Sequence, residues 1–280
     1  MSRYSFNFLV VICFSAYGYI TADSNDANQS KLFAIGETGT ICQKGTGYLK
    51  TGLTMVLPTL NAVYAPLHTW EFDMYWIGIP TMDNNKDTSS VGFNVFRLGF
   101  KKHAFAKKPL WKFTTYDLAL GLKINRFRFY LEKGGEVLID KNSWLFIPFI
   151  AQTVSKGKFS YHLEISLPLG GEKYSAIGGD PRKDQTVLFI SGFEYAKSDH
   201  VKFILEYWFT NAGGFINIDL NDQELAQNYN PQGSWISYML LGTRLSFKKR
   251  FYSELGIATH YSIPPFPATG VVLNFGWYFR

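Results

Sequence analysis

The chain has 280 residues, 46% of them hydrophobic and 18% aromatic, and a formal net charge of +6; its mean hydropathy is −0.06. That length suits one sizeable domain, and hydropathy so near zero excludes a helical membrane protein, whose spans are long unbroken apolar runs. Basic residues gather only in pairs and triplets such as Lys248-Lys249-Arg250, too sparse a pattern for nucleic-acid binding.

The first residues read as an export signal. Arg3 supplies the positive start, Phe6 to Phe14 the apolar core, and Ala16, Gly18 and Ala22 the small residues before Asp23. Cleavage is expected after Ala22, with Gly18 as the second choice, giving a signal peptide over 1–22. The apolar run is too short for a spanning helix of about 20 residues. Bulky Ile12 before Cys13 argues against a lipoprotein. Cys42 is then the single cysteine of the mature chain, so no intramolecular disulfide is available. A polar segment follows over 23–44. Its first part, Asp23 to Lys31, is expected to be disordered; residues 32–44 read equally as a short plug, an extra turn or the lead into the first strand.

From residue 45 onward the pattern has a period of two. In Phe159–Leu167 the residues Phe159, Tyr161, Leu163, Ile165 and Leu167 alternate with Ser160, His162, Glu164 and Ser166. One wholly apolar face opposite one polar, partly charged face suits a wall between oil and water. The pattern predicts about twelve strands, near 45–57, 67–79, 90–101, 111–124, 126–133, 143–154, 157–168, 185–197, 200–210, 234–247, 250–263 and 268–279. Conflicting parity around Val95, Phe96 and Arg97 suggests a bulge. Most strands approach the ~9–11 residues that a tilted strand needs to cross a bilayer. Strands in lipid must close into a barrel, because open edges leave backbone groups unsatisfied. The expected fold is therefore all-β: one antiparallel up-and-down transmembrane barrel over 45–280.

Tight turns are expected at Asn125, Ser155-Lys156, Lys197-Ser198-Asp199 and Lys248-Lys249, with longer loops at 58–66, 102–110, 134–142, 169–184 and 211–233. Short periplasmic turns alternating with long outer loops are the habit of bacterial outer-membrane barrels. An even strand number places both termini on the periplasmic side. Trp70, Trp76, Trp144, Trp235, Tyr261, Trp277 and Phe279 stand near strand ends, where aromatic belts form.

The last strand carries Val271, Leu273, Phe275, Trp277 and Phe279 on one face. It resembles the C-terminal signature of Gram-negative outer-membrane barrel proteins, except that Arg280 follows the terminal aromatic residue. The resemblance is architectural and covers nearly all of the mature chain. It implies the cell outer membrane as location, outer-membrane lipids as surroundings and the barrel-assembly machinery as partner during insertion.

Parity sends an ionisable set to the face opposite the lipid: Glu71, Asp73, Asp117, Lys123, Arg126, Arg128, Glu132, His162, Glu164, Glu194, Lys202, Glu206, Arg244 and Glu254. Two uses compete. One is a lattice of ion pairs that fills the lumen; the other is a water-filled pore whose charges select small solutes. A porin-like or structural barrel is the leading expectation. A lipid hydrolase is the alternative, because His260 and Ser262 stand two apart with Asn274 on the adjacent strand, a base–nucleophile–amide set. Outer-membrane phospholipases, which this resembles, point that set toward lipid, whereas parity here points it inward. Ser160, His162 and Glu164 form a second trio. A surface-binding barrel that acts through loops 169–184 and 211–233 is the third reading. Gly178-Gly179-Asp180-Pro181 is loop punctuation, not a phosphate cradle. Asp219, Asn221, Asp222 and Glu224 read as a solvated loop rather than a calcium site. No metal or cofactor is expected.

Overall fold

Successive side chains of a strand point to opposite faces, so a sheet of such alternation can bury one face by curling round on itself. The computed structural model describes residues 36–54, 57–79, 90–111, 114–133, 136–170, 187–210, 236–247, 250–260 and 269–280. They form β1 (Thr46–Thr54), β2 (Leu57–Leu67), β3 (Trp70–Ile79), β4 (Ser90–Trp111), β5 (Thr114–Lys133), β6 (Glu136–Lys156), β7 (Phe159–Ser166), β8 (Leu169–Gly170), β9 (Leu188–Ser198), β10 (Val201–Thr210), β11 (Ile236–Phe247), β12 (Phe251–His260) and β13 (Thr269–Phe279). Each long strand pairs antiparallel with its neighbours. β13 returns to β1, so Gly47 opposes Phe279, and the additional β5–β6 ladder closes the ring. The two-residue β8 pairs with Leu145 and Phe146 of β6, prolonging the line of β7. The barrel thus has twelve staves, and closure removes every sheet edge.

The two faces separate as the alternation requires. On β7, Phe159, Tyr161 and Ile165 are exposed while His162, Glu164 and Ser166 are buried. On β13, Val271, Phe275, Trp277 and Phe279 are exposed while Val272 and Asn274 are buried. The outer coat is apolar and the inside is packed. An apolar patch of Ile204, Leu240, Ala258 and Val272, with Trp208 against it, fills one side of the interior. Tyr48 and Tyr252, edge to face at 6.4 Å, pack with Cys42, Val63 and Ala65 near the end where β1 starts.

The expected number of strands is correct, but two differences cancel in it. Residues 58–66, expected as a loop, lie within β2; Pro58 and Pro66 lack N–H donors and mimic a turn. Asn125, expected as a turn, lies inside β5, opposite both Arg97 and Leu145. The stretch 102–110, also expected as a loop, lies within β4, and 136–142 of the loop expected at 134–142 lies within β6. The bulge expected at Val95–Arg97 is absent, since the β4–β5 ladder is unbroken from Ser90 to His103. It slips instead between His103 and Trp111, where Lys107 has a positive φ of 44°.

At the end where β1 begins and β13 finishes, the connections are residues 68–69, 112–113, 157–158, 199–200 and 248–250. Every longer connection (80–89, 171–187, 211–235 and 261–268) is at the opposite end. The short-turn end is the periplasmic one in barrels of this kind. The signal peptide, Trp235, Tyr261, residues 171–184 of the loop expected at 169–184 and the whole of 211–233 lie outside the described residues.

Candidate functional site: the barrel lumen

Inward-facing ions are held in three groups. In the first, Arg97 Nη2 lies 3.1 Å from Asp73 Oδ2 and its guanidinium stacks 4.8 Å above the Tyr75 ring. Gly99 leaves the space that the Asp73 carboxylate occupies, because a Cβ there would collide with it.

The second group centres on Lys101 and Lys123. Lys101 Nζ bridges Glu37 at 3.2 Å and Glu71 at 3.1 Å. Lys123 pairs with Glu164 and reaches Glu37 at 3.9 Å. The third group is built on Arg244, which lies 2.7 Å from Glu254 and 3.4 Å from Glu194. Lys50 joins Glu254 at 3.3 Å, Asn274 Nδ2 donates to the same carboxylate at 3.0 Å, and Lys202 stands 3.8 Å from Glu194. Charges buried this deeply are tolerable only when paired and hydrogen-bonded.

Residues 36–42 lie inside the barrel, before an exposed turn at Gln43 and Lys44, whereas residues 32–35 lie outside the described residues. The segment crosses the lumen as an inserted strap, and four of its backbone N–H groups donate to wall side chains. Gly36 donates to Glu206 at 3.0 Å, Glu37 to Glu164 at 2.8 Å, Gly39 to Thr153 Oγ1 at 2.8 Å and Cys42 to Glu71 at 2.8 Å. His103 Nε2 donates in turn to the Gly39 carbonyl at 2.7 Å. A Cβ at residue 39 would run into the backbone of Asp117 and Thr153, so only glycine lets the strap lie this close to the wall. Three wall carboxylates, Glu206, Glu164 and Glu71, thus accept from the strap's amides as well as from groups of the wall. Glu37 is 1% exposed.

Glu71, Asp73, Asp117, Lys123, His162, Glu164, Glu194, Lys202, Glu206, Arg244 and Glu254 all face inward. Arg126 and Arg128 do not. Because β5 runs straight through Asn125, its inward set is Asp117, Ala119, Lys123 and Asn125, and the even-numbered Arg126 and Arg128 share the outer face with Leu120 and Ile124. The assumed turn reversed the parity. The side chain of Glu132 lies outside the described residues. Lys50, Arg97, Lys101, Thr153 and the strap were missed, although the parity that found Glu71 and Glu254 also places Lys50, Arg97 and Lys101 inward.

Neither hydrolase trio is assembled. Asn274 opposes Glu254, six residues along β12 from His260, which is roughly 20 Å at strand rise. Ser262 and the His260 side chain lie outside the described residues. In the second trio, His162 Nδ1 bonds Thr153 Oγ1 at 2.8 Å, Ser160 bonds Ser155 at 2.9 Å, and Glu164 pairs with Lys123. No group of metal-binding spacing exists among the described residues.

A closed antiparallel barrel with an apolar coat and an ionic interior is the architecture that bacterial outer-membrane β-barrel proteins have, and the chain has that architecture. The chain is similar to CdiB from Escherichia coli (TM-score 0.42, 10% identity, 84% of this chain and 62% of that one). It is also similar to the outer membrane channel DcaP of Acinetobacter baumannii (TM-score 0.36, 10% identity, 84% and 72%) and to the translocator domain of autotransporter NalP from Neisseria meningitidis (TM-score 0.36, 11% identity, 84% and 85%). No family model and no curated protein matches the chain.

Proposed function

We propose that this barrel is a narrow outer-membrane pore for small solutes, kept closed by the strap of residues 36–42. The observation that carries this reading is the way the strap is held. Along Gly36–Gly39 its contacts with the wall are polar, with backbone amides donating to Glu206, Glu164 and Thr153 and Glu37 paired with Lys101 and Lys123; the Cys42 end donates to Glu71 and carries the apolar packing. Water can take over such bonds when the strap leaves, so the wall is compatible with an aqueous path. An apolar filling would make leaving far more costly. With the strap in place the barrel is a closed structural element of the membrane.

The test compares the full chain with a variant lacking residues 23–42 in planar bilayers, both checked for heat-modifiable migration. The full chain should conduct rarely and in small steps, and the deletion variant should conduct in larger, salt-dependent ones. A folded deletion variant that stays silent at high salt removes the pore and leaves a purely structural barrel.

A further inference from the structure

The wall groups that hold the strap read features common to any extended peptide. They come from six strands and address its N–H groups, its carbonyls and its side-chain charge. Among the N–H groups, Gly36 donates to Glu206 of β10 at 3.0 Å and Glu37 to Glu164 of β7 at 2.8 Å. Gly39 donates to Thr153 of β6 at 2.8 Å, and Cys42 to Glu71 of β3 at 2.8 Å. The carbonyls meet donors on β4: His103 donates to Gly39 at 2.7 Å and Lys101 to Thr38 at 3.4 Å. The strap's acidic side chain, Glu37, meets Lys101 at 3.2 Å and Lys123 of β5 at 3.9 Å.

Such a set discriminates between ligands. An inorganic anion in the strap's place would face Glu206, Glu164 and Glu71, and an inorganic cation would face Lys101 and Lys123; like charges repel. Peptide N–H groups suit the carboxylates, and one acidic side chain suits the ammonium pair. The fit is also steric. A Cβ on residue 39 would strike the backbone of Asp117 and Thr153, so the wall calls for glycine two residues after the acid.

We propose that the strap occupies a peptide-binding site, and that the solutes of this lumen are short acidic peptides, bound extended by the same groups once the strap withdraws. Passage of such peptides rests on the pore reading above; their binding does not. The strap is favoured by its tether, because an attached segment acts at an effective concentration on the order of millimolar. A free peptide therefore gains the site readily only where the strap is absent or loosened.

The test uses an end-blocked peptide with the sequence of residues 36–41, titrated by calorimetry into the folded, heat-modifiable variant lacking residues 23–42. Binding should be about ten-fold or more tighter than to the full chain, whose strap competes. Changes made in the peptide leave the protein untouched. Peptides carrying Glu37→Gln, Gly39→Val, or N-methylglycine at position 39, which lacks the N–H that Thr153 accepts, should each bind about ten-fold more weakly. In planar bilayers the parent peptide should block the variant's conductance. Should the deletion variant not fold, the full chain carrying Gly39→Val, with its strap loosened, takes its place. Equal binding of the Glu37→Gln and N-methyl peptides, or equally effective displacement by free glutarate, overturns the proposal. So does absence of binding to a folded variant; where that variant conducts, the pore reading stands without it. Binding to a variant that stays silent keeps the site and removes passage.

Discussion

The carboxylate of Glu37 lies 3.2 Å from Lys101 Nζ, across 64 residues of chain. It joins the strap to the wall at the point where Glu71 also reaches the same ammonium, at 3.1 Å. One buried cation therefore couples an inserted segment to two strands of the cylinder.

Replacing Lys101 leaves Glu37 and Glu71 buried without that cation. Lys101→Met should destabilise the barrel by about 3–5 kcal/mol, the usual result of breaking a buried pair from one side. Adding Glu37→Gln should restore part of the loss. Urea titration of protein refolded into vesicles measures both, and strict additivity of the two changes would mean that the strap and wall are not coupled here.

Arg244 serves two carboxylates, Glu254 at 2.7 Å and Glu194 at 3.4 Å. Arg244→Gln should cost about 3–5 kcal/mol in the same titration. Arg244→Lys should recover only part, since one ammonium lacks the fork that spans both acceptors. Full recovery with lysine would reduce the contribution to simple charge.

Gly39 is the place where the strap touches the wall backbone. Gly39→Val should expel or loosen the strap, at a strain on the order of 1–3 kcal/mol. Cys42 is buried at 6% exposure and forms no disulfide, so it reports on that motion. In a Cys13→Ser background, maleimide labelling of Cys42 should accelerate about ten-fold or more in the variant, following the population of the opened state. An unchanged labelling rate would show that the strap does not move as a unit.

Leu255 is 58% exposed on the outer face of β12. In water an arginine at such a position would be nearly neutral, within about 0.5 kcal/mol. In the middle of a lipid-facing band it should cost roughly 2–4 kcal/mol. Leu255→Arg, measured by reversible unfolding from vesicles, distinguishes the two environments directly.

Where sequence reading succeeded, the information was local. On β7 and β13 each apolar residue two positions from the last declares its face without reference to any other strand. Val271 to Phe279 and Phe159 to Ile165 were legible for that reason. Where it failed, the signal was ambiguous at one residue and the error spread by parity. Asn125 looks like a turn, and placing a turn there sends Arg126 and Arg128 to the wrong side of the wall. Pro58 and Pro66 similarly conceal β2, whose inward Thr59 and Asn61 are small and whose outward residues are only moderately apolar. The two errors offset each other in the strand count, which shows how little a correct total guarantees about register.

The alternation of side chains along this chain determined that it would make a closed sheet with an apolar exterior and an ionic interior, because a period of two is written in neighbouring residues. The folded barrel alone decided which ions meet and that residues 36–42 run inside it, against the wall. Those contacts join groups as far apart as Gly36 and Glu206, 170 positions along the chain, and only closure and register bring such partners within reach of a hydrogen bond.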